Sequence, residues 1–227
     1  MIGRILNKLR KIYLFNSNIG LIRRNNISFE KPNYLYKENF GDNPVIIDVG
    51  CASHPDFSLH MINKFGYHSV GVDPTRKHFD SLKYYEEKLN GKFKHLPFAV
   101  ADKTAELTFN ESVNHDSGSL MDSHTNVKQD EIIQYKVKAL TIGDLIKELG
   151  VDKIDYLKLD LEGIEYSLLK DISKDDLLLC EQIFIEFHHH CIEEYKIKDT
   201  LNLVDRIEKF GFKSFSLDKH NFLFVKN

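Results

Sequence analysis

With 227 residues, 42% of them hydrophobic, and a formal net charge of −3, the chain is long enough to bury a substantial core in one large domain. Its three cysteines, Cys51, Cys180 and Cys191, lack CxxC spacing and exclude a closed disulfide framework, which fits reduced thiols in a cytoplasmic protein. No apolar run is long enough to cross a bilayer, and Met1–Phe15, interrupted by Arg4, Lys8, Arg10 and Lys11, lacks the continuous apolar stretch of a secretory signal.

Charge is unevenly spread: residues 1–37 hold eight Lys/Arg against one acidic residue, Glu30, so they carry +7 and the remainder −10. Ile2, Ile5, Leu6, Leu9, Ile12 and Tyr13 recur at helical spacing. They predict a basic amphipathic helix in an N-terminal extension, residues 1–43, with residues 1–20 resting on an anionic membrane surface or docking on the protein's own core or a partner subunit. A Gly41–Pro44 turn precedes Val45–Val49, whose β-branched residues predict a central parallel strand and open the main domain, residues 44–227. A helix over Phe57–Phe65, a strand over Ser69–Val72, a helix from Thr75 to Asn90 stopped by Gly91, and a third strand over Pro97–Val100 follow. Short strands Glu106–Phe109 and Tyr135–Ala139 flank a polar loop, Asn110–Gln134, that is too long for a connector and reads as a lid or as a solvated loop. Thr141 caps a helix to Leu149, with Asp144 facing its amide-rich end. Strand Ile154–Leu159, helix Ile164–Ile172 and strand Gln182–Phe187 continue the alternation. A helix within Glu193–Phe210 then leads to a closing hairpin of Phe212–Leu217 and Asn221–Val225. The order predicts an α/β fold with a mostly parallel sheet and an antiparallel C-terminal hairpin strand.

Chemistry concentrates at strand ends, where open α/β sheets hold their ligands. Gly50, ending Asp48-Val-Gly50, has no side chain to block a ligand, but the continuation Cys51-Ala-Ser-His-Pro55 lacks the G-x-G-x-x-G fingerprint, which argues against a hydride-transfer cofactor. Asp73 is placed to accept both hydroxyls of a ribose, to cap the turn at Pro74-Thr75, or both. Asp160 ends an otherwise apolar strand, where an unpaired carboxylate is costly without a task. Glu162 and Glu165 stand where they also favour the next helix through its dipole. His188, just past a strand, has an ordinary pKa suited to proton removal near neutrality. Phe187-His-His-His-Cys191 invites a metal reading without helical i,i+4 ligand spacing; no metal is expected, and Asp160, Glu186 and His188 would be the ligands if one bound.

Asp48-Val-Gly50, Val72-Asp73, Ala99-Val-Ala-Asp102, Val137–Asp144, and above all Asp155-Tyr-Leu-Lys-Leu-Asp-Leu-Glu-Gly-Ile-Glu165 followed by Ile185-Glu-Phe-His188 resemble FkbM-type S-adenosylmethionine-dependent methyltransferases over about residues 44–226. The resemblance implies a seven-stranded Rossmann-like methyltransferase fold, S-adenosylmethionine as cofactor, and O-methylation of a small, carbohydrate-containing or secondary-metabolite acceptor. It implies Asp48, Gly50, Ser53, Asp73, Ala101, Asp102 and Asp160 as cofactor contacts, and Asp160, Glu162 and His188 as the catalytic set. Cys51-Ala-Ser-His-Pro-Asp56 departs from the small residues, Asn and further Gly usual after the first strand; Ser53 and His54 offer replacement hydrogen bonds. That departure leaves a catalytically inactive binding subunit as the alternative. A nucleic-acid partner is not expected, because an Asn/Asp-Pro-Pro-aromatic motif is missing and most of the chain is acidic.

Overall fold

Short apolar runs alternate with amphipathic stretches along the chain, and the computed structural model, which describes residues 18–30 and 34–227, resolves this pattern into two sheets and a hairpin. The amphipathic helix expected at residues 2–13 lies outside the described residues. A helical stretch at residues 18–24 leads into the antiparallel hairpin β1 (Ile27–Glu30) and β2 (Tyr34–Lys37). There follow β3 (Ile46–Val49), α1 (Asp56–Phe65), β4 (Ser69–Val72), α2 (Phe79–Lys88), β5 (Phe93–Leu96), β6 (Ala99–Val100), β7 (Ala105–Ser112), β8 (Gly118–Ser119), α3 (Thr125–Gln129) and β9 (Ile132–Leu140). The chain continues as α4 (Ile142–Leu149), β10 (Tyr156–Leu159), α5 (Glu165–Asp171), α6 (Lys174–Leu178), β11 (Gln182–Glu186), α7 (Ile197–Lys209), β12 (Phe212–Ser216) and β13 (Asn221–Lys226).

The main sheet has seven strands in the order β12-β13-β11-β10-β3-β4-β5. β11, β10, β3, β4 and β5 are mutually parallel, and β13 is antiparallel to both its neighbours, as the closing hairpin predicts. Every residue of β3 and β10 is buried, because elements cover both faces of the sheet. On one face, Ile47, Val49, Leu157, Leu159, Ile183 and Ile185 pack with residues of α4, α5 and α7. On the other, Ile46, Tyr156, Phe184 and Leu223 pack with Phe57 and Met61 of α1 and with Ile22, Ile27, Leu35 and Tyr36 from the N-terminal hairpin region. The Tyr156 hydroxyl donates to the Leu35 carbonyl at 2.7 Å, which gives this buried phenol its partner. Among the described residues, no helix is long and apolar enough to cross a membrane.

Two expectations are corrected. The third parallel strand is Phe93–Leu96, not Pro97–Val100. Pro97 has no N–H for a ladder, so the chain turns there and Ala99–Val100 joins β9 in a second sheet of order β6-β9-β7-β8. The presumed loop Asn110–Gln134 is also shorter than expected, because β7 and β9 stay paired as far as Ser112 and Ile132, and β8 and α3 lie between them. Asn110 Nδ2 bonds Asp122, Glu111 accepts the Arg76 amide at 2.9 Å, and Ser112 bonds Asp130, so these polar residues are buried in strand conformation.

Candidate active site

Parallel register brings the strand exits together. Gly50 N–H donates to Val72 O at 2.9 Å, Asp160 N–H to Val49 O at 3.1 Å, and Asp73 N–H to Leu96 O at 3.1 Å. Gly50, Asp73 and Asp160 therefore line one cleft, with about 100 Å³ of enclosed space. Gly50 is required for a reason beyond ligand approach: at φ +72°, a Cβ would stand 1.8 Å from the Asp160 carbonyl oxygen.

Asp73 caps the turn as expected and also lines the cleft. Its Oδ2 accepts the Ala52 amide at 2.9 Å and faces His78 Nδ1 at 3.4 Å, and its Oδ1 accepts the Thr75 amide at 2.8 Å, which leaves Oδ1 with lone-pair capacity toward the cleft. Burial pushes its pKa up, but His78 and the Thr75 contacts outweigh this and hold it below the ordinary carboxylate value. His78, which burial alone would push down, is raised by Asp73 and Asp116. His78 Nε2 lies 3.0 Å from Asp116, which also accepts from Ser53 Oγ at 2.8 Å, so residues 116–118 lean over the cleft from the second sheet.

A second cleft of about 290 Å³, on the α1 side, is lined by Tyr34, His54, Lys158, Phe184, Glu186 and Asn221 and meets the first at Gly50, Ala52 and Asp160. Lys158 stands between them. Its Nζ is 3.2 Å from Asp48 Oδ1, 3.2 Å from Gly50 O and 3.3 Å from Asp160 Oδ2. Burial disfavours its charge, but Asp48 and Asp160 more than offset this and raise its pKa.

Asp160 and Glu162 share the cleft edge with 26% and 28% of their side chains exposed, and His188 of the loop after β11 faces both. Glu162 adopts φ +50°, an uncommon conformation for a residue with a side chain, and its Oε2 is 2.8 Å from His124 Nε2. Burial raises Asp160 above the ordinary carboxylate value despite Lys158 and His188, whereas for Glu162 the histidines outweigh burial and lower the pKa. Glu165 is fully buried and accepts the Leu161 and Gly163 amides at 2.8 and 2.9 Å, so it ties the β10–α5 turn together in addition to sitting in the first turn of α5. Its Oε1 also takes His188 Nδ1–H at 2.9 Å. Burial would lower the His188 pKa, but Glu165, Asp160 and Glu162 raise it well above the usual imidazole value.

Four expected cofactor contacts do not line the first cleft. Asp48 lies at the second cleft, where its Oδ2 takes the Ser58 amide and hydroxyl at 3.2 and 2.9 Å and its Oδ1 faces Lys158. Ser53 holds Asp116 and lines neither cleft. Ala101 and Asp102 miss the cleft because the chain has already left the main sheet at Pro97; Ala101 bonds Leu140 O at 2.9 Å and Asp102 is exposed, while Phe98, Ala99 and Val100 line the wall. Unforeseen contributors are Lys158, whose signal was the lysine of the Lys-x-Asp-x-Glu-Gly pattern, and His124, for which the sequence has none. The first cleft fits an adenosyl group: Phe98, Val100, Leu120 and Ile164 are apolar walls suited to a purine, Asp73 to a ribose diol, and Asp160 to a positive centre.

This sheet, with one reversed strand and a cleft at its parallel exits, defines a Rossmann-like methyltransferase. The family model of the methyltransferase FkbM domain matches residues 13–214, and the chain belongs to that family, with S-adenosylmethionine as its methyl donor. Among solved structures, a fibrillarin/Nop5p complex is similar at 11% identity and TM-score 0.44, over 85% of this chain and 76% of that one. TrmK of M. capricolum in complex with S-adenosylhomocysteine is similar at 14% identity and TM-score 0.41, over 84% of this chain and 65% of that one. The N-terminal domain of human METTL16 with S-adenosylhomocysteine is similar at 11% and 0.44, over 94% and 82%. No curated protein matches the chain.

Proposed function

We propose that the chain is an O-methyltransferase for a small hydroxyl-bearing acceptor, carbohydrate-containing or of the secondary-metabolite type. The observation that carries this reading is the meeting of two clefts at Asp160. One has walls suited to an adenosyl group, and the other has hydrogen-bonding side chains in Tyr34, His54, Glu186 and Asn221 suited to a polyhydroxylated ligand. When bound, S-adenosylmethionine supplies an electrophilic methyl group on a sulfonium. The chain's own task is to align the acceptor oxygen and take its proton. Asp160, raised by burial and shared by both clefts, is the proposed base; Lys158 fixes one of its oxygens, and His188 faces the other at 3.6 Å. Burial and the charge of Asp160 also push Glu186 up to about 7, so this wall of the acceptor cleft can donate or accept near neutrality.

Asp48, Asp56, Asp160 and Glu186 face Lys158 in the acceptor cleft, a predominantly negative lining that disfavours a phosphate backbone and supports a neutral small molecule. Tritiated methyl transfer to a panel of glycosides and hydroxylated metabolites tests the reading. Asp160→Asn is expected to abolish transfer while leaving the melting curve near wild type; full transfer by this variant would remove Asp160 as the base.

A further inference from the structure

One donor atom each from Asp160, Glu162 and His188 lies within 4.8 Å of the others, beside the first cleft that Asp160 and Glu162 line. The imidazole supplies the observation that separates this group from an ordinary acidic cluster. The His188 side chain is 7% exposed, and its Nδ1 is committed to Glu165 at 2.9 Å. Its Nε2 points between Asp160 Oδ1 and Glu162 Oε2 at 3.6 Å from each, beyond hydrogen-bond distance. Glu165 is itself immobilised by two backbone amides, so the ring is held in the carboxylate–histidine arrangement that orients metal-bound imidazoles. Asp160 divides its oxygens, with Oδ2 on Lys158 and Oδ1 turned toward His188.

We propose that Asp160, Glu162 and His188 form a divalent-cation site whose remaining coordination positions face the cleft and hold the acceptor's hydroxyl. Ligands about 2.1 Å from an octahedral ion lie about 3 Å apart when adjacent and about 4.2 Å when opposed, and the 3.6 Å separations of His188 Nε2 from both carboxylates fall between these values. Two carboxylates and one imidazole favour a hard transition ion such as Mn²⁺ over a thiophilic one. Ligation replaces any proton on Nε2, and Asp160 and Glu162 supply the charge that balances the ion. Within the proposed O-methyl transfer, on which only this consequence rests, Asp160 serves as a ligand and the cation takes over its task as base: the ion draws the acceptor oxygen into line and promotes loss of its proton to water as the new C–O bond forms and the methyl–sulfur bond breaks, its electron pair staying on sulfur.

Titration of chelator-stripped protein with Mn²⁺, followed by the electron paramagnetic resonance of the free ion, tests the site without recourse to activity. One ion per chain is expected. Glu162→Gln, at a partly exposed position, is expected to weaken binding at least tenfold with the melting curve retained, and Glu165→Gln, acting through His188, by about 10–100-fold. No Mn²⁺ uptake by folded wild-type protein at millimolar concentration, or equal affinity in Glu162→Gln, overturns the site. Methyl transfer that persists in excess chelator overturns the cation's role while the O-methyltransferase reading stands. Stoichiometric Mn²⁺ uptake with no transfer to any hydroxylated acceptor supports the site and overturns that reading instead.

Discussion

Replacing Lys158 with methionine removes the cation between two carboxylates while keeping most of the side-chain volume. Lys158 is 4% exposed and Asp48 1% exposed, so water cannot take over the pairing between Lys158 Nζ and Asp48 Oδ1 at 3.2 Å. Asp48 retains its two bonds from Ser58 on Oδ2, whereas Oδ1 is left as an uncompensated buried charge. Asp160, with 26% of its side chain exposed, is partly rescued by solvent. Removing one member of a buried pair costs about 3–5 kcal/mol. Partial solvation of Asp160 places the expectation at the lower end, about 3 kcal/mol, or a fall in Tm of roughly 6–12 °C for a chain of this size. Urea denaturation followed by circular dichroism measures the change, and Lys158→Met with Asp48→Asn isolates the pair. If the unpaired Asp48 charge is the cause, the double variant recovers at least about 1 kcal/mol relative to Lys158→Met alone. Stability of the single variant within about 0.5 kcal/mol of wild type would refute the claim that Lys158 neutralises the sheet's exit.

Asp73→Asn places an amide NH₂ against one of the two backbone amides now accepted and removes the charge facing a ribose; calorimetry with S-adenosylhomocysteine is expected to show about 10–100-fold weaker binding. Gly50→Ala brings a methyl group 1.8 Å from the Asp160 carbonyl at φ +72°, so soluble yield or Tm should fall sharply, and a wild-type Tm would contradict the packing of the two strand exits. The His78–Asp73 contact predicts a pH signature. The His78 pKa is raised above 6.5, so its stabilisation is complete below that value and lost as pH rises through the folded-state pKa; the Asp73 pKa is lowered below 3.8, so its stabilisation is present above that value and lost as pH falls through the folded-state pKa. His78→Gln should therefore flatten the alkaline decline of stability that begins near 6.5, and an unchanged decline in that variant would disprove the assignment.

What was legible in the chain follows from how each element is stabilised. β3, β4, β10, β11 and the closing hairpin announce themselves because burial on both faces demands apolar, β-branched runs, and the acidic residues ending them stand out against that background. The second sheet is obscured because β7 buries Asn110, Glu111 and Ser112 against Asp122, the Arg76 amide and Asp130, partners that polarity along the strand does not reveal. β5 is obscured by Lys94 and His95, and Pro97, taken inside the strand, in fact ends the main-sheet segment. Gly50, Asp73 and Asp160 are brought together as expected; Asp102 is not, because the chain leaves the main sheet at Pro97 and joins the second sheet before reaching it.

The least legible feature is the connection of the site's charges. From the core outward, Asp48 meets Lys158 at 3.2 Å, Lys158 meets Asp160 at 3.3 Å, and Asp160 faces His188 at 3.6 Å. His188 in turn bonds Glu165 at 2.9 Å, and Glu162 bonds His124 at 2.8 Å. Alternating sign along this path lets several ionisable groups share a small volume without leaving one buried charge alone. It also anchors the two cleft-facing carboxylates to residues that are almost completely buried, which restricts their movement before any ligand arrives. Glu165 is the informative member. It touches neither cleft, yet its oxygens fix both the turn that carries Glu162 and the ring of His188. A carboxylate so fully enclosed is costly unless the geometry it imposes is needed, and here that geometry is the placement of Glu162 and His188 beside Asp160.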